Sequence, residues 1–292
     1  MNAEHPEKAS IVLRGAEEHP GWRLVFLLGT VVLAGHLARL GQPSRVGAAI
    51  LLALAPFGAI LLLVALLQSH DKRPARSRCW ALLWGALVAA GGSAYANGLL
   101  GSRPDWQTIV VTAPLIEETL KIAGMLLLLH WGRIRRPLDG VIYALLVGGG
   151  FAFAENVLYF FNAINAEIAG DDGVLRSVFL VRGIVSPLAH PVFVGVAGVC
   201  MAAPAARRGV SIAVGAAGGI SLHALWNHAA LRGLIDPLAF YVSALSLALV
   251  VVMLLFARRE RIVRDAPDTA ARHEDCRSGE VPEDWSRPLP WY

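Results

Sequence analysis

The stretch VVTAPLIEETLKIAGMLLLLHW, residues 110–131, decides how the rest of the chain is interpreted. It is long and apolar enough to cross a bilayer as a helix, since a span needs about 20 such residues. It nevertheless carries Glu117, Glu118 and, one helical turn later, Lys121. Each ionisable side chain inside a membrane costs about 3 kcal/mol on insertion scales, so these three residues indicate a functional site within a spanning helix.

Length and composition indicate a membrane protein. Of the 292 residues, 55% are hydrophobic and 16% are charged, and the mean hydropathy of +0.54 lies outside the range of ordinary soluble domains. About eight segments are long and apolar enough to span a bilayer. They lie at 22–40, 46–68, 79–100, 107–132, 138–162, 177–204, 209–231 and 236–257.

The predicted fold is therefore all-α, a polytopic membrane helical bundle of about eight transmembrane helices. Helices satisfy their own backbone hydrogen bonds in lipid, and the short loops leave no room for a separate globular domain. We predict a cytoplasmic N-terminal segment at 1–21, a transmembrane domain at 22–257 and a flexible cytoplasmic tail at 258–292. The tail combines many charges with Pro and Gly, which is typical of unstructured segments.

The distribution of Lys and Arg predicts the orientation of the bundle. Cytoplasmic loops carry an excess of these residues, and four alternate connections are basic: Lys72, Arg73, Arg76 and Arg78; Arg133, Arg135 and Arg136; Arg207 and Arg208; Arg258, Arg259, Arg261 and Arg264. We therefore expect a multi-pass protein of the cell membrane with both termini in the cytoplasm. The net charge of +4 reflects this bias, and no nucleic-acid partner is expected.

Three further sets of polar residues lie in equally apolar surroundings: Glu155 with Asn156, His190, and His223 with Asn227. Counted along their helices, they and Glu117 fall at similar depth in the outer half of the membrane. Residues four apart share a helix face, as Arg182, Ser186 and His190 do. Gly148, Gly149 and Gly150 precede Glu155 and allow neighbouring helices to approach closely. We therefore predict that residues of four helices form one site.

Carboxylates and histidines in this combination favour water activation. Catalytic zinc takes three protein ligands from His and carboxylates and keeps one position open. We predict Glu155, His190 and His223 as ligands of a divalent metal, Zn²⁺ by ligand type. Another glutamate then serves as general base, although the sequence lacks HExxH. Asn227 could hold an oxyanion, and Lys121 would orient or neutralise the glutamate pair.

Four short motifs resemble those of one known family. EETLK at 117–121 is similar to the EExxK motif of the PrsW family of intramembrane proteases, and FAFAEN at 151–156 to its FxxxEN motif. SPLAH at 186–190 and HALWN at 223–227 resemble its third and fourth motifs. The family is related to the CAAX prenyl-protein endopeptidases and bacteriocin-immunity proteases, which carry a histidine where this chain has Glu155. The last motif often ends in Asp in PrsW-like proteins, whereas this chain has Asn227.

The resemblance implies an intramembrane metalloprotease that cleaves membrane-anchored protein substrates near the outer membrane face, as in the processing of anti-sigma factors. It implies that the first glutamate, Glu117, is the general base. Glu117 also shares a helix face with Lys121, whose charge would keep it ionised. Glu118 would support a ligand or the substrate, and the residues alone leave open which of the two is the base.

Two alternatives of other classes stay open at this point. A proton- or cation-coupled transporter also uses buried Glu, His and Lys residues, although the sequence shows neither repeated halves nor paired broken helices. A non-catalytic membrane interaction protein is the other alternative. At the level of single residues, Glu117 and Glu118 could form a structural ion-pair network with Lys121 and Arg182. His190 and His223 could serve only as hydrogen-bonding residues between helices.

Overall fold

The computed structural model describes residues 21–39, 41–68, 73–99 and 105–232, and every regular element in these ranges is helical. The predicted all-α membrane bundle is therefore confirmed. The predicted eighth span at 236–257 and the tail at 258–292 lie outside the described residues, as does the N-terminal segment apart from Gly21. The count of eight and the three-region division stay predictions.

Seven helices cover the described ranges, and each corresponds to one predicted span. They are α1 (Gly21–Arg39), α2 (Pro43–Leu67), α3 (Ala75–Leu99), α4 (Ala113–His130), α5 (Pro137–Ile168), α6 (Val174–Cys200) and α7 (Ala205–Leu231). A π-helical turn, Thr108–Thr112, leads into α4, and α3 contains another at Trp84–Ala89. The main departure from prediction is α5, which extends to Ile168 rather than ending at residue 162.

Six of these helices, all except α4, are long and apolar enough to cross a membrane. Helix α4 is less apolar than the others because it carries Glu117, Glu118 and Lys121 within its 18 residues. All three side chains are buried within the bundle. Such a helix can lie at membrane depth only when neighbouring helices enclose its charges, and α3, α5, α6 and α7 all contact it.

Helix α5 forms the centre of the bundle. It is buried along most of its length and packs against α2, α3 and α6. A Cβ atom added at Gly148 would lie 2.6 Å from the Cα of Pro191, and one at Gly150 would overlap the carbonyl oxygen of Leu82. The predicted role of these glycines in close helix approach is thereby confirmed. The α5–α6 crossing falls beside His190, the neighbour of Pro191.

Two sets of side-chain contacts join the helix ends that lie next to the basic loops. The ring of Trp80 packs against those of Trp22 and Trp131 with centroid distances of 5.4 and 4.7 Å. Arg73 pairs with the buried carboxylate of Asp139, which links the α2–α3 connection to the start of α5. The loops before α3 and before α5 therefore lie at the same end of the bundle.

Replacing Gly148 by alanine should separate α5 from α6 and destabilise the protein. Overpacking a close contact costs about 1–3 kcal/mol, and the added methyl group meets backbone that cannot rotate away. Gly58→Ala is the matched control, because nothing lies within 4 Å of a Cβ at that exposed helical position. Thermal unfolding in detergent measures both variants. Equal unfolding midpoints for the two would contradict this packing.

Candidate active site

Six of the seven residues predicted for the site form one cluster between four helices. Glu117, Glu118 and Lys121 come from α4, Glu155 from α5, His190 from α6 and His223 from α7. Helix α4 supplies its three residues at spacings of three and four, so they point inward from adjacent turns. The predicted convergence of four helices on one site is therefore present in the structure.

Lys121 lies at the centre of this cluster and is 0% exposed. Its Nζ donates to Glu118 Oε1 at 2.7 Å and lies 3.0 Å from Nδ1 of His190. The same ammonium is 3.7 Å from Glu117 Oε2 and 3.7 Å from the centroid of the Phe151 ring. One buried cation thus faces two carboxylates, an imidazole and an aromatic face.

The ammonium determines which nitrogen of His190 carries the proton. An ammonium group has only donors, so Nδ1 of His190 must accept from Lys121. The proton of the neutral ring then lies on Nε2, which is 2.7 Å from Glu155 Oε2 and donates to it. His190 is oriented in this way by one cation and one carboxylate on its two sides.

His223 is oriented by the other member of the glutamate pair. Its Nδ1 lies 2.9 Å from Glu118 Oε1 and donates to that carboxylate. The remaining nitrogen, Nε2, keeps its lone pair and lies 3.8 Å from Glu117 Oε2. Glu117 and Glu118 therefore have different partners, as expected for adjacent residues that diverge by about 100° around a helix.

Arg182 also lies in the cluster, and its carboxylate partner is Glu155 rather than the glutamate pair with which the sequence associates it. It lies in a π-helical segment of α6, Leu180–Val185. Its guanidinium pairs with Glu155, donates from Nε to Asn156 Oδ1 at 2.7 Å and stacks over the ring of Tyr159 at 3.7 Å. Glu155 Oε2 is therefore shared between Arg182 and His190.

One group of side chains has the composition of a cation site. Ligand atoms of Glu117, His190 and His223 all lie within 4.8 Å of one another, and the three residues are buried. Glu117 Oε2 is buried and accepts no hydrogen bond from the described residues. A carboxylate with two imidazoles matches the ligand type of catalytic zinc, so these residues fit a divalent metal. Glu155, the predicted carboxylate ligand, is not in this group, and its metal role stays a prediction.

Asn227 lies apart from these contacts, although it shares the His223 face of α7. Its Nδ2 donates to the carbonyl oxygen of Ile109 at 3.0 Å, in the π-helical turn before α4. The hydrogen bond ties α7 to the beginning of the helix that carries the glutamate pair. Its predicted role at an oxyanion stays a prediction.

A tryptophan that sequence reasoning missed also supports the site. Trp84 Nε1 donates at 2.9 Å to the carbonyl oxygen of Leu120, the residue before Lys121. The indole lies so close to α4 that a Cβ added at Gly124 would be 2.5 Å from its Nε1. Trp84 lies in an apolar run with other large side chains, so no sequence signal separates it from ordinary packing residues.

Comparison with known proteins identifies the family of the chain. The model of one family, described as PrsW family intramembrane metalloprotease, matches residues 73–257. The match covers more than half of the chain and includes every residue of the cluster. No curated protein and no solved structure matches the chain.

Removing the charge of Lys121 should destabilise the bundle strongly. Lys121→Met leaves the buried carboxylate of Glu118 without its cation, and breaking a buried ion pair typically costs about 3–5 kcal/mol. Adding Glu118→Gln to that variant removes the uncompensated charge and should recover about 1–3 kcal/mol. Unfolding of both single variants and the double variant in detergent measures this coupling. Additive losses would contradict a direct Lys121–Glu118 interaction.

Proposed function

Because the chain belongs to the PrsW family of intramembrane metalloproteases, we propose that its buried cluster hydrolyses a peptide bond of membrane-anchored protein substrates. Family membership makes the chain a multi-pass membrane peptide hydrolase and removes the transporter and the non-catalytic interaction protein as alternatives. The observation that carries the proposed site is the grouping of Glu117, His190 and His223 within 4.8 Å inside the bundle.

Glu117 is the general base of the proposed reaction. Its Oε2 accepts no hydrogen bond from the described residues, and Glu117 lines a cavity that solvent or substrate can reach. Glu118 also has an oxygen, Oε2, that accepts no hydrogen bond from the described residues, but it is 0% exposed, its Oε1 contacts Lys121 and His223, and it is not among the residues that line the cavity. A base has to lie within hydrogen-bonding reach of the water it deprotonates, and this difference favours the first glutamate.

A divalent metal is implied by the family, and the two histidines are suited to hold it. Nε2 of His223 has no hydrogen-bond donor beside it among the described residues, whereas Nδ1 of His190 accepts from Lys121 at 3.0 Å, so His190 would hold a cation through Nδ1 only after Lys121 releases this nitrogen. Glu117 lies beside both rings. Imidazole ligands favour zinc over magnesium or calcium, so we propose Zn²⁺. Bound there, the cation would polarise the scissile carbonyl as a Lewis acid.

The surrounding charges orient these groups. Glu118 holds the N–H of His223, and Glu155 holds the N–H of His190, which is the arrangement that usually positions metal-binding histidines. Glu155 orients His190 in this structure, and with Glu117 as the base it is the remaining carboxylate that would complete the three protein ligands of a catalytic zinc. Arg182 and Lys121 compensate the buried carboxylates. Asn227 secures α7 to the turn before α4 and in that way helps to position His223.

The proposed cleavage site lies in the outer half of the cell membrane. Glu155 is nearer to the Ile168 end of α5, and His223 is nearer to the Leu231 end of α7. The basic connections gather at the opposite end of the bundle, which positive-inside placement assigns to the cytoplasm, together with both termini. A substrate anchored in the membrane and cut near its outer face fits this depth. The resemblance of the motifs implies that the substrate is an anti-sigma factor, and this identity stays a prediction.

Glu117→Gln should abolish proteolysis while keeping the fold. The amide preserves shape but cannot take a proton, so cleavage should fall by about a hundredfold or more. The wild-type protein and the variant are each reconstituted in vesicles with membrane proteins from cells lacking this chain. Mass spectrometry of newly formed N-termini then measures cleavage. Glu167→Gln is the matched control, because among the described residues that carboxylate accepts the backbone N–H groups of Gly173 and Leu175 at the start of α6.

The zinc content of the same preparations shows whether Glu117 is the base or a metal ligand. We expect Glu117→Gln to retain about as much zinc as the wild type, and His223→Ala to lose most of it because a ligand nitrogen is removed. Near-normal cleavage by Glu117→Gln would overturn its assignment as base. Loss of zinc from that variant would make Glu117 a ligand instead.

The orientation is tested with reporter fusions. A phosphatase that is active only outside the cytoplasm should be inactive when fused in the basic connection at 69–78. The same reporter should be active in the α5–α6 connection at 169–173, which follows the acidic Glu167. Loops with an excess of Lys and Arg stay in the cytoplasm. Activity at 69–78 would reverse the proposed orientation.

A further inference from the structure

A cavity of about 200 Å³ lies between α1, α3 and α5 and ends at the active site. Glu117 and Glu155 line its inner part, Ala94 and Asn97 of α3 form one wall, and Leu33 of α1 forms another. Its volume exceeds the roughly 150 Å³ of an engineered protein cavity that binds benzene. It is therefore large enough to admit a group of the size of an amino-acid side chain.

The cavity reaches the surface of the bundle as well as the cluster. Tyr159 lines it and is 44% exposed, so one side of the cavity borders the region that lipid occupies around the helices. Helix α1 has no buried residue, and half-buried Leu33 is the one residue of α1 that lines the cavity. The space thus connects the lipid-facing surface with the carboxylate of Glu117.

The wall on α3 is built from small side chains. Ala90, Ser93, Ala94 and Asn97 recur at spacings of three and four and so form one helix face. Larger residues at these positions would fill the space that now separates α3 from α5. The cavity therefore follows from the sequence of α3 as much as from the helix arrangement.

Two buried acceptor atoms belong to residues of this cavity. Neither Oε2 of Glu117, a residue that is 8% exposed, nor Oδ1 of Asn97 receives a hydrogen bond from the described residues. Buried acceptors without partners are costly, so the occupant of the cavity supplies donors, which a water molecule does in the resting protein and a peptide backbone does when it replaces that water. An extended peptide offers backbone N–H groups that need acceptors at membrane depth, whereas a lipid acyl chain offers none.

We propose that this cavity receives one side chain of the substrate, with the backbone on either side of it, next to the scissile bond and from the lipid side past Tyr159. Asn97 is a substrate-positioning residue that accepts a backbone N–H of this stretch of the substrate, and Leu33 of α1 contacts the same stretch from the other side. The proposal rests on the proposed function and adds the route and the binding residues, which the chemistry at Glu117 does not specify.

The test uses a synthetic single-span peptide that covers the site cut most by the wild-type protein in the vesicle experiment. Ala94→Phe fills the cavity and should lower kcat/KM for this peptide by about tenfold or more, because the substrate can no longer align. Gly98→Phe is the matched control, since it adds the same side chain to α3 where nothing lies within 4 Å. It should leave kcat/KM within about twofold of the wild type.

Asn97→Ala distinguishes a positioning role from a structural one. It removes an acceptor without adding bulk, so it should raise KM for the peptide with little change in the unfolding midpoint. Equal kcat/KM for Ala94→Phe, Asn97→Ala and the wild type would overturn the proposal while leaving the protease assignment intact. Absence of any wild-type cleavage would overturn both.

Photocrosslinking tests occupancy even if Ala94→Phe does not fold. A photoreactive residue replaces Leu33 in the Glu117→Gln background, which should bind the peptide without cutting it. We expect crosslinks to peptide residues next to the scissile bond. The same substitution at Leu28, a lipid-exposed residue of α1, is the control and should yield lipid adducts. Lipid adducts alone from position 33 would show that the cavity holds an acyl chain and would contradict the proposal.

Discussion

The buried ammonium of Lys121 is the interaction on which the rest of the site depends. Its positive charge allows the carboxylates of Glu117 and Glu118 to lie together at membrane depth, where unpaired charges are not tolerated. It also donates to His190 and so determines the tautomer of that ring. One side chain therefore links the glutamate pair of α4 to a histidine of α6.

The adjacent glutamates have different contacts because helix geometry points them to different partners. Oε1 of Glu118 contacts Lys121 and His223, and its Oε2 is buried without a hydrogen bond from the described residues. Glu117 keeps an unsatisfied oxygen toward the histidines and the cavity. Glu155 repeats the orienting role at His190. Each histidine is thus paired with its own carboxylate, and Glu117 lies beside both rings, in a chain that belongs to the family of intramembrane metalloproteases.

Close packing of backbones maintains these distances. Gly148 brings α5 against Pro191, next to His190, and the contact of Trp84 with Gly124 holds α3 against α4. Helices that meet through backbone have little freedom to shift, whereas long side chains at the crossing would allow many arrangements. The periphery differs, because α1 has no buried residue and borders the cavity only through Leu33. Even so, α1 approaches α3 closely, since a Cβ added at Gly29 would lie 2.7 Å from the carbonyl oxygen of Leu87.

The sequence by itself determined the helices, because the length of each apolar segment can be read from it directly. It also identified the residues of the cluster, because ionisable side chains within apolar segments are rare. Helical spacing correctly separated Glu117 from Glu118, and the glycines indicated close crossings. Partners across helices were decided only by the tertiary structure, since they depend on helix rotation and side-chain rotamers that periodicity does not specify. This is why Glu155 lies with Arg182 and Asn227 bonds to Ile109, and why Trp84 supports Lys121 from a neighbouring helix without any signal in its own sequence.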